Sequence, residues 1–437
     1  MSPEAIGGLL VLALVVMLLF GVNIAIGLGL IGLVGVMVLA PNPQAGLGMV
    51  AIASYSRVAV FSFSAIPLFI LMGELAFNAG ISSSIFSAAY KWLGSLRGGM
   101  AMATVAATAA FGAVSGSTIV AAVSMTKVAW SDLMKYKYDK GLCAGALSAS
   151  GGLAILIPPS IIAVFYGLYT ETPVGAVLLA GVVPGILTGA LLMLQIFIRT
   201  SLNPKLAPPA PSFPWKERFG SLKGVWGVFV LAFIVTGGLY GGIFTASEAA
   251  AAGAFGAFVL TLLVRALTWR NLYQALLSTT KTTSFIFFII VSGYIFSKFL
   301  GLSNLSNQAV AFVGDMELPR VIILIGILSI YFVLGMFLEG ISMLALTIST
   351  VFPIILSLGY DPVWFGIVII MMVETAAITP PVGLNVFAVK AVLGDDVTVW
   401  DVFKNALPFL ATYVGMLALI IMVPQVALWL PSSMTPR

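Results

Sequence analysis

The sequence predicts an all-α polytopic membrane protein built from two inverted repeats, each with a re-entrant hairpin and a broken transmembrane helix. Three observations support this prediction. The 437 residues are 61% hydrophobic and only 8% charged, whereas a soluble domain carries about 25% charged residues. A proline pair interrupts an apolar segment in each half of the chain. Basic residues flank corresponding segments of the two halves in opposite ways, which indicates opposite orientations in the membrane.

Composition also excludes several classes of function. At roughly 20 residues per span, the chain has room for ten to twelve spans. It contains no histidine and one cysteine, Cys143, which argues against haem, most zinc sites and an intrachain disulfide. We find no GxxxxGK[ST] phosphate loop and no catalytic constellation, so we expect no enzyme, and energy from an ion gradient or a partner. The net charge is +5. Because the basic residues flank apolar segments, this charge indicates membrane orientation and not nucleic-acid binding.

A hydrophilic stretch divides the apolar segments into two groups. Residues 199–223 are rich in proline and serine and contain five basic residues. We interpret this stretch as a cytoplasmic linker, which makes 1–198 the first repeat and 224–437 the second.

The two halves share an internal repeat. The segments "AILIPPSIIAVF" (154–165) and "AAITPPVGLNVF" (376–387) are 222 residues apart and match at five of twelve positions. The same offset pairs Tyr138-Asp139 with Tyr360-Asp361, and Gly116 pairs with Gly340 after a two-residue slip. Register held over about seventy residues indicates a duplication.

Charge predicts that the repeats are inverted. Lysines and arginines flank both ends of 98–134, which places both ends on the cytoplasmic side and predicts a re-entrant hairpin turning at Val114–Thr118. The matching segment, 319–359, turns near Leu338–Ser342, and its flanks are mainly acidic. Depletion of basic residues favours the outer face for this second hairpin.

The proline pairs predict where a ligand binds. Non-helical backbone at membrane depth is tolerated where it is buried in protein or lines a cavity. Two broken helices at matching positions of inverted repeats therefore indicate a site at the bilayer midplane. Carbonyls freed near 151–157 and 375–379 would face a cation, and the half-helices after the prolines would direct positive dipole ends toward an anion.

Polar side chains cluster around both predicted breaks. Hard oxygen ligands of this kind suit Na⁺. The first cluster comprises Ser115, Ser117, Thr118, Gly151, Gly152 and Ser160, and the second comprises Gly340, Ser342, Thr375, Thr379 and Asn385. The alternative is that these hydroxyls only cap helix ends or pack between spans.

Three carboxylates lie inside apolar segments: Glu74, Glu339 and Glu374. Intramembrane acids are functional candidates by default. Glu339 lies at a predicted hairpin tip and Glu374 beside a predicted break, so both are candidates for tuning cation binding or binding a proton. The alternative is a neutral, hydrogen-bonded structural role.

The chain resembles the large membrane (M) subunit of tripartite ATP-independent periplasmic (TRAP) transporters. The matching segments span most of the chain: "FGAVSGSTIVAA" (111–122), "LAILIPPSIIAVFYG" (153–167), "LLAGVVPGIL" (178–187), "LGMFLEG" (334–340), "YDPVWFGIVIIMMVETAAITPPVGLNVF" (360–387) and "ALPFL" (406–410).

The resemblance implies a fold like that of the ion transporter superfamily, with a scaffold and a transport domain that moves as an elevator. Scaffold helices would lie at about 1–90 and 224–300, and the transport domain at about 98–198 and 319–430. A soluble periplasmic substrate-binding (P) subunit would deliver an organic anion, usually a carboxylate. A small four-span membrane (Q) subunit, as a separate polypeptide, would complete the complex in the lipid bilayer of the bacterial inner (cytoplasmic) membrane.

The resemblance also implies Na⁺-coupled uptake, with one of two ions at each hairpin–break pair. It implies a first sodium site at Ser115, Gly116, Ser117, Thr118, Gly152, Ile155 and Pro158, and a second at Gly340, Ser342, Thr375, Thr379 and Pro380. The substrate would lie between the tips, near Ser160 and Asn385.

Two other functions remain open at this point. One is a self-sufficient Na⁺- or H⁺-coupled carboxylate transporter of the same architecture. The other is a membrane enzyme or anchoring subunit, against which the inverted broken helices and missing catalytic constellations argue. The sequence leaves the substrate open.

Overall fold

A computed structural model describes residues 1–208 and 212–434. The predicted linker therefore includes three residues, 209–211, and the predicted second repeat three more, 435–437, that lie outside the described residues. Every regular element of the described chain is helical. The first half forms α1 (Pro3–Leu19), α2 (Ile24–Leu39), α3 (Pro43–Val58), α4 (Ala65–Asn78), α5 (Ile81–Leu93), α6 (Gly99–Ser115), α7 (Thr118–Lys135), α8 (Lys140–Ser150), α9 (Leu153–Leu156), α10 (Ile161–Thr170), α11 (Val174–Ala180) and α12 (Val182–Leu202).

The second half repeats this series of long spans, hairpin and broken helix. Its elements are α13 (Trp215–Leu222), α14 (Trp226–Ala232), α15 (Gly238–Tyr240), α16 (Ala246–Leu263), α17 (Trp269–Leu302), α18 (Leu305–Gly314), α19 (Arg320–Gly335), α20 (Gly340–Ser357), α21 (Pro362–Ala377), α22 (Leu384–Leu393), α23 (Val399–Met422) and α24 (Gln425–Ser432). A π-helical turn, Phe233–Gly237, joins α14 to α15, and short 3₁₀ turns cover Phe61–Ser64, Pro204–Leu206 and Gly394–Asp396.

Fewer helices are full spans than the chain length has room for. Among the described residues, six helices are long and apolar enough to cross a membrane, or up to eight if each of two bent helix pairs is one span. Five further apolar helices are 10–17 residues long. Three of these five are parts of the hairpins or of a broken helix, namely α6, α19 and α21, and the other two, α1 and α2, have 17 and 16 residues, somewhat fewer than the ~20 of a typical span.

The predicted hairpins and broken helices are confirmed. Helices α6 and α7 reverse at Gly116-Ser117, and α19 and α20 reverse over residues 336–339. The helix formed by α8 and α9 is bent by 42° relative to α10 across the first proline pair. The second proline pair lies in residues 378–383, between α21 and α22. Both Pro-Pro bonds are cis.

Equivalent residues of the repeats perform the same local task. The Asp139 side chain caps α8 by accepting from the Leu142 amide at 2.8 Å. The Asp361 side chain caps α21 in the same way, accepting from the amide of Trp364 at 2.9 Å. Both donors and both acceptors are 222 residues apart, so the repeat seen in the sequence is also a repeat of backbone geometry.

The loop before α8, the start of the linker and the loop at 395–404 lie on one face of the protein. Lys140 lies 3.7 Å from the carboxylate of Asp396, and the Asp139 amide donates to the Leu206 carbonyl at 2.9 Å. The acidic loop at 395–404 therefore lies on the same face as the lysine-rich loop before α8. On the opposite face the Tyr166 hydroxyl donates to the Pro362 carbonyl at 2.7 Å, which joins the end of α10 to the start of α21.

The broken helices form the centre of the molecule. Every residue from Leu142 to Ser150 in α8 and from Trp364 to Ala377 in α21 is buried. Helices α1, α2 and α16, in contrast, expose many large apolar side chains, as expected for a surface facing lipid. Protein therefore shields the non-helical backbone at the two breaks from hydrocarbon.

Candidate functional site

A cavity of about 220 Å³ lies where the two hairpin tips meet the broken helices. We call it the tip cavity. Residues of both tips, both broken helices and the long helix α17 line it: Gly116, Ser117, Thr118, Ile119, Ile155, Ile161, Ile162, Thr282, Phe285, Ile286, Leu338, Glu339, Gly340, Ile341, Val373, Glu374, Ala377, Leu384 and Asn385. The two hairpin tips and the two broken helices, which the sequence predicts to meet, therefore line one continuous cavity.

The first tip lies directly against the first break. Gly116 has φ +62°, a left-handed conformation that favours glycine. A Cβ there would lie 2.8 Å from the carbonyl oxygen of Pro159, so any side chain would force the tip away from the break. The amide of Ile161 donates to the Gly116 carbonyl at 3.4 Å. A backbone hydrogen bond thus joins the tip to the break.

Ser115, next to this tip, has an unusual hydroxyl. The residue is only 4% exposed, and its Oγ has no hydrogen-bond partner among the described residues. A buried hydroxyl without a partner costs about 1–3 kcal/mol, which a bound ion would recover. This orphan oxygen fits the predicted first sodium site. Ser115, Gly152 and Pro158 are buried, and all three lie outside the set of described residues that line the tip cavity.

The second tip contacts both broken helices. A Cβ on Gly340 would lie 2.6 Å from the Ile162 side chain of the first broken helix and 2.8 Å from Val373 of the second. Glu339 caps α20 by accepting from the Ser342 amide at 3.2 Å. Glu339 therefore stabilises the tip and lines the cavity at the same time.

A hydrogen-bonded chain crosses the cavity between the repeats. The Thr118 hydroxyl, on the first tip, donates to Asn385 Oδ1 at 2.5 Å. Asn385 Nδ2 then donates to Glu374 Oε2 at 3.1 Å. Asn385 is fully buried and Glu374 is 1% exposed, and Glu374 Oε1 has no partner among the described residues. The first hairpin is thereby joined to the second broken helix through a carboxylate with one free oxygen.

Glu374 also contacts its repeat equivalent. Gly152 lies 222 residues before it, and a Cβ on Gly152 would be 2.5 Å from Glu374 Oε2 and 2.5 Å from the Tyr413 hydroxyl oxygen. Two equivalent positions that touch each other lie on the pseudo-symmetry axis. Only one side chain fits there, so the first repeat has glycine where the second has glutamate.

The threonines of the second break use their hydroxyl protons locally. Thr375 donates to the Met371 carbonyl at 2.6 Å and Thr379 to the Thr375 carbonyl at 2.7 Å. Each hydroxyl oxygen keeps lone pairs that can ligate a cation. Both side chains lie outside the set of described residues that line the tip cavity, as do Ser342 and Pro380.

Two other candidate residues, Ser160 and Glu74, lie outside the described lining of the tip cavity. Ser160 is 1% exposed, and its hydroxyl caps α10 by accepting from the Ala163 amide at 3.2 Å. Ser160 does not belong to the described lining of the tip cavity. Glu74 accepts from the Ser278 hydroxyl at 2.6 Å, which joins α4 to α17. These contacts are the capping and packing uses that the sequence left open.

Sequence reasoning missed Tyr413 and Thr282. The Tyr413 hydroxyl donates to the Ala149 carbonyl at 2.6 Å just before the first break, and no local sequence pattern distinguishes this tyrosine. Thr282 belongs to "STTKTTS" (278–284), a run of hydroxyl residues inside the apolar α17. That run is a signal which could have been used.

Comparison with known proteins gives a consistent result. A family model described as "Tripartite ATP-independent periplasmic transporter, DctM component" matches residues 11–426. The C4-dicarboxylate TRAP transporter large permease protein DctM of Pseudomonas aeruginosa is 33% identical over 407 residues, which cover 93% of each chain. The sialic acid TRAP transporter large permease protein SiaM of Vibrio cholerae is 30% identical over 374 residues, covering 85% of this chain and 86% of that protein.

Solved structures agree on the fold. The crystal structure of the Alcanivorax borkumensis YdaH transporter superposes with a TM-score of 0.64 at 14% identity and covers 88% of this chain and 89% of that one. At this identity the likeness concerns the fold alone.

Proposed function

Because this chain belongs to the family of DctM components of tripartite ATP-independent periplasmic transporters, we propose that it is the large permease of a sodium-coupled importer of a small organic acid. The tip cavity is the observation that carries this proposal. It joins two hairpin tips and two broken helices, and it contains the free Glu374 oxygen and helix N-termini for an anion. The unpartnered Ser115 hydroxyl lies next to its first tip.

Sodium is transported together with the substrate, and its ligands come from neutral oxygens at the two tips and the two breaks. The first ion binds at Ser115, Gly116, Ser117 and Thr118 together with backbone carbonyls from Gly152 to Pro158. The orphan Ser115 hydroxyl supports this placement. The second ion binds at Gly340, Ser342, Thr375, Thr379 and Pro380, close to the free Glu374 oxygen. Glu339 and Glu374 tune the affinity of the neighbouring ion.

The organic anion binds between the tips beside Asn385. Relatives are named for C4-dicarboxylates, ectoine, sialic acid and 2,3-diketo-L-gulonate, so an organic acid is the substrate class that most of them share. The amide hydrogens at the start of α22, which begins at Leu384 in the cavity lining, attract a carboxylate through the helix dipole.

Transport depends on two partners in the bacterial inner membrane and periplasm. A soluble substrate-binding subunit delivers the anion, and a small four-span membrane subunit completes the permease. The hairpins and broken helices move as an elevator against the scaffold helices α2, α4, α16 and α17, which carries the tip cavity from one face to the other.

Reconstitution tests this proposal. This chain and its small membrane subunit are reconstituted in proteoliposomes, and the soluble binding protein is added. Uptake of radiolabelled succinate and sialic acid is then measured under an inward Na⁺ gradient. We expect uptake of one of these probes only with all three proteins and Na⁺. Uptake by this chain alone, or uptake that follows pH and ignores Na⁺, would instead support a self-sufficient transporter.

A variant ties the result to the tip cavity. Asn385→Ala breaks the chain from Thr118 to Glu374, and we expect about a tenfold loss of uptake, since bonds to charged groups are worth about 1.5–3 kcal/mol. Asn405→Ala, in α23 with its amide donating to the Asp401 carbonyl at 2.9 Å, is the matched control and should transport normally.

A further inference from the structure

A second and larger cavity, of about 740 Å³, lies toward the opposite end of α17 from the tip cavity's lining residues. We call it the outer cavity. Its walls come from α3 and α17 of the scaffold and from the ends of α10 and α20, and they include Tyr169, Tyr294, Ser297, Lys298 and Ser349. Its volume lies within the range of about 300–1,000 Å³ that is typical of small-molecule sites.

The two cavities open onto the same face of one helix. Thr282 and Ile286 line the tip cavity, and Ser297 lines the outer cavity. Their spacing, together with Gly293 between them, follows the four- and seven-residue period of a single helix face. At 1.5 Å per residue, Thr282 and Ser297 are about 22 Å apart along α17.

A closed seam separates the cavities. Ile289 and Ile290 are completely buried. A Cβ on Gly293 would lie 3.2 Å from the Ala345 side chain and 3.3 Å from its carbonyl oxygen, so α17 and α20 are in close contact there. The outer cavity is therefore a compartment of its own, and sliding α20 along α17 would bring the hairpin tip toward it.

The polar groups of the outer cavity suit an anion. Lys298 lies near the C-terminal end of α17 and is exposed, and it forms no hydrogen bond or ion pair with the residues that the structure describes. The buried Oγ of Ser349 has no partner within the same described part. Tyr169 and Tyr294 stack with ring centroids 4.4 Å apart and form a flat wall beside them. Glu171 is the one carboxylate among the described lining residues.

We propose that the outer cavity is a binding site for the carboxylate of a small organic anion, with Lys298 as its cationic anchor and Ser349 as a hydrogen-bond donor. This inference rests on the proposed function, because it places the site on the substrate's path from the outer face to the hairpin tips. Lys298 concentrates the anion next to the scaffold face that the tip cavity reaches when the transport domain moves outward.

Charge-selective labelling tests the site without requiring transport. The full chain with its small membrane subunit is reconstituted in phosphatidylcholine vesicles, with Cys143→Ala removing the only cysteine and Ser297→Cys placing a thiol in the cavity. The rates of reaction with an anionic methanethiosulfonate (MTSES) and a cationic one (MTSET) are compared. Removing one nearby charge by Lys298→Gln should lower the MTSES-to-MTSET rate ratio by roughly fivefold.

Two further variants control the result. Lys298→Arg keeps the charge and should keep the ratio, which also covers the case in which Lys298→Gln does not fold. Lys281→Gln removes a lysine from the same helix that lines neither cavity and should change nothing. Succinate at millimolar concentration should slow the anionic reagent in the background protein and have little effect after Lys298→Gln.

Three outcomes would overturn the inference: an unchanged ratio in Lys298→Gln, a thiol that water-soluble reagents do not reach, or no effect of succinate. A thiol blocked only when vesicles contain phosphatidylglycerol would assign the cavity to a lipid headgroup and also contradict it. Because labelling needs neither Na⁺ nor the binding protein, its result is independent of whether coupled uptake is found.

Discussion

The two repeats have the same backbone plan but different charges at their tips. Asp139 and Asp361 cap equivalent helices at 2.8 and 2.9 Å. The first hairpin and break, however, contain a serine and a glycine, Ser115 and Gly152, where the second has Glu339 and Glu374. Both repeats keep a broken helix, and the two carboxylates distinguish the second hairpin and break from the first.

The contact between Gly152 and Glu374 explains why this difference is needed. Both positions lie at the pseudo-symmetry axis, where two glutamates would place two buried negative charges together, which is strongly unfavourable. Glycine in one repeat makes room for the carboxylate of the other. The asymmetry is thus a packing requirement of the duplicated fold.

Filling the glycine should have the largest effect. Gly152→Ala places a methyl group 2.5 Å from both Glu374 Oε2 and the Tyr413 hydroxyl oxygen, so the carboxylate and the first break must move apart. A displacement of about 1 Å in a binding site can cost about 10²-fold in rate. We expect a loss of uptake of that size in proteoliposomes.

Gly189→Ala in α12 is the control for this prediction. A Cβ there meets only the Leu153 side chain at 3.5 Å, an ordinary contact. Normal uptake in Gly152→Ala, or equal losses in both variants, would show that the axis contact is not important.

The sequence predicted the architecture well because its signals are local or pairwise. The proline pairs, the repeated Tyr-Asp motif and Gly116 with Gly340 all correspond to helix breaks, caps and tips in the structure. Flanking charge also gave the positions of both hairpins. These features report backbone conformation, which a single sequence segment largely determines.

The site was only partly predictable, because its central contacts join distant segments. Nothing near Thr118 indicates that its partner is Asn385, 267 residues away. The position of Gly152 against Glu374 likewise follows from the symmetry axis, which a linear alignment of repeats does not reveal. Ser160 stays a predicted substrate residue, and the structure adds that its hydroxyl caps α10, a use that local sequence does not separate from substrate binding.

Removing the orphan hydroxyl should have an intermediate effect that is specific to the proposed first sodium site. Ser115→Ala deletes an Oγ without a protein partner, so we expect little change in stability. Loss of one ligand oxygen to a cation should weaken apparent Na⁺ affinity by about tenfold, in line with about 1.5 kcal/mol for a bond to a charge. The Na⁺ dependence of uptake at fixed substrate measures this shift.

Ser124→Ala, on the same hairpin, is its matched control. The Ser124 hydroxyl is also buried but donates to the Val120 carbonyl at 2.5 Å. It should leave Na⁺ dependence unchanged. If Ser115→Ala also leaves it unchanged, the first ion does not use this oxygen, and the proposed contrast between the two sites fails.

The caps should give the smallest effect and should be equal in the two repeats. Asp139→Ala and Asp361→Ala each remove an N-cap carboxylate, which costs about 1 kcal/mol of stability, while Asn at either position should retain most of the cap. Thermal unfolding of the purified permease should therefore show similar small shifts for both Ala variants, with Na⁺ dependence unaltered. A large change at only one position would mean that the equivalent residues have diverged in role, as the tips have. Equal shifts would place the divergence of the repeats at the tips and the axis, where the ions and the substrate are proposed to bind.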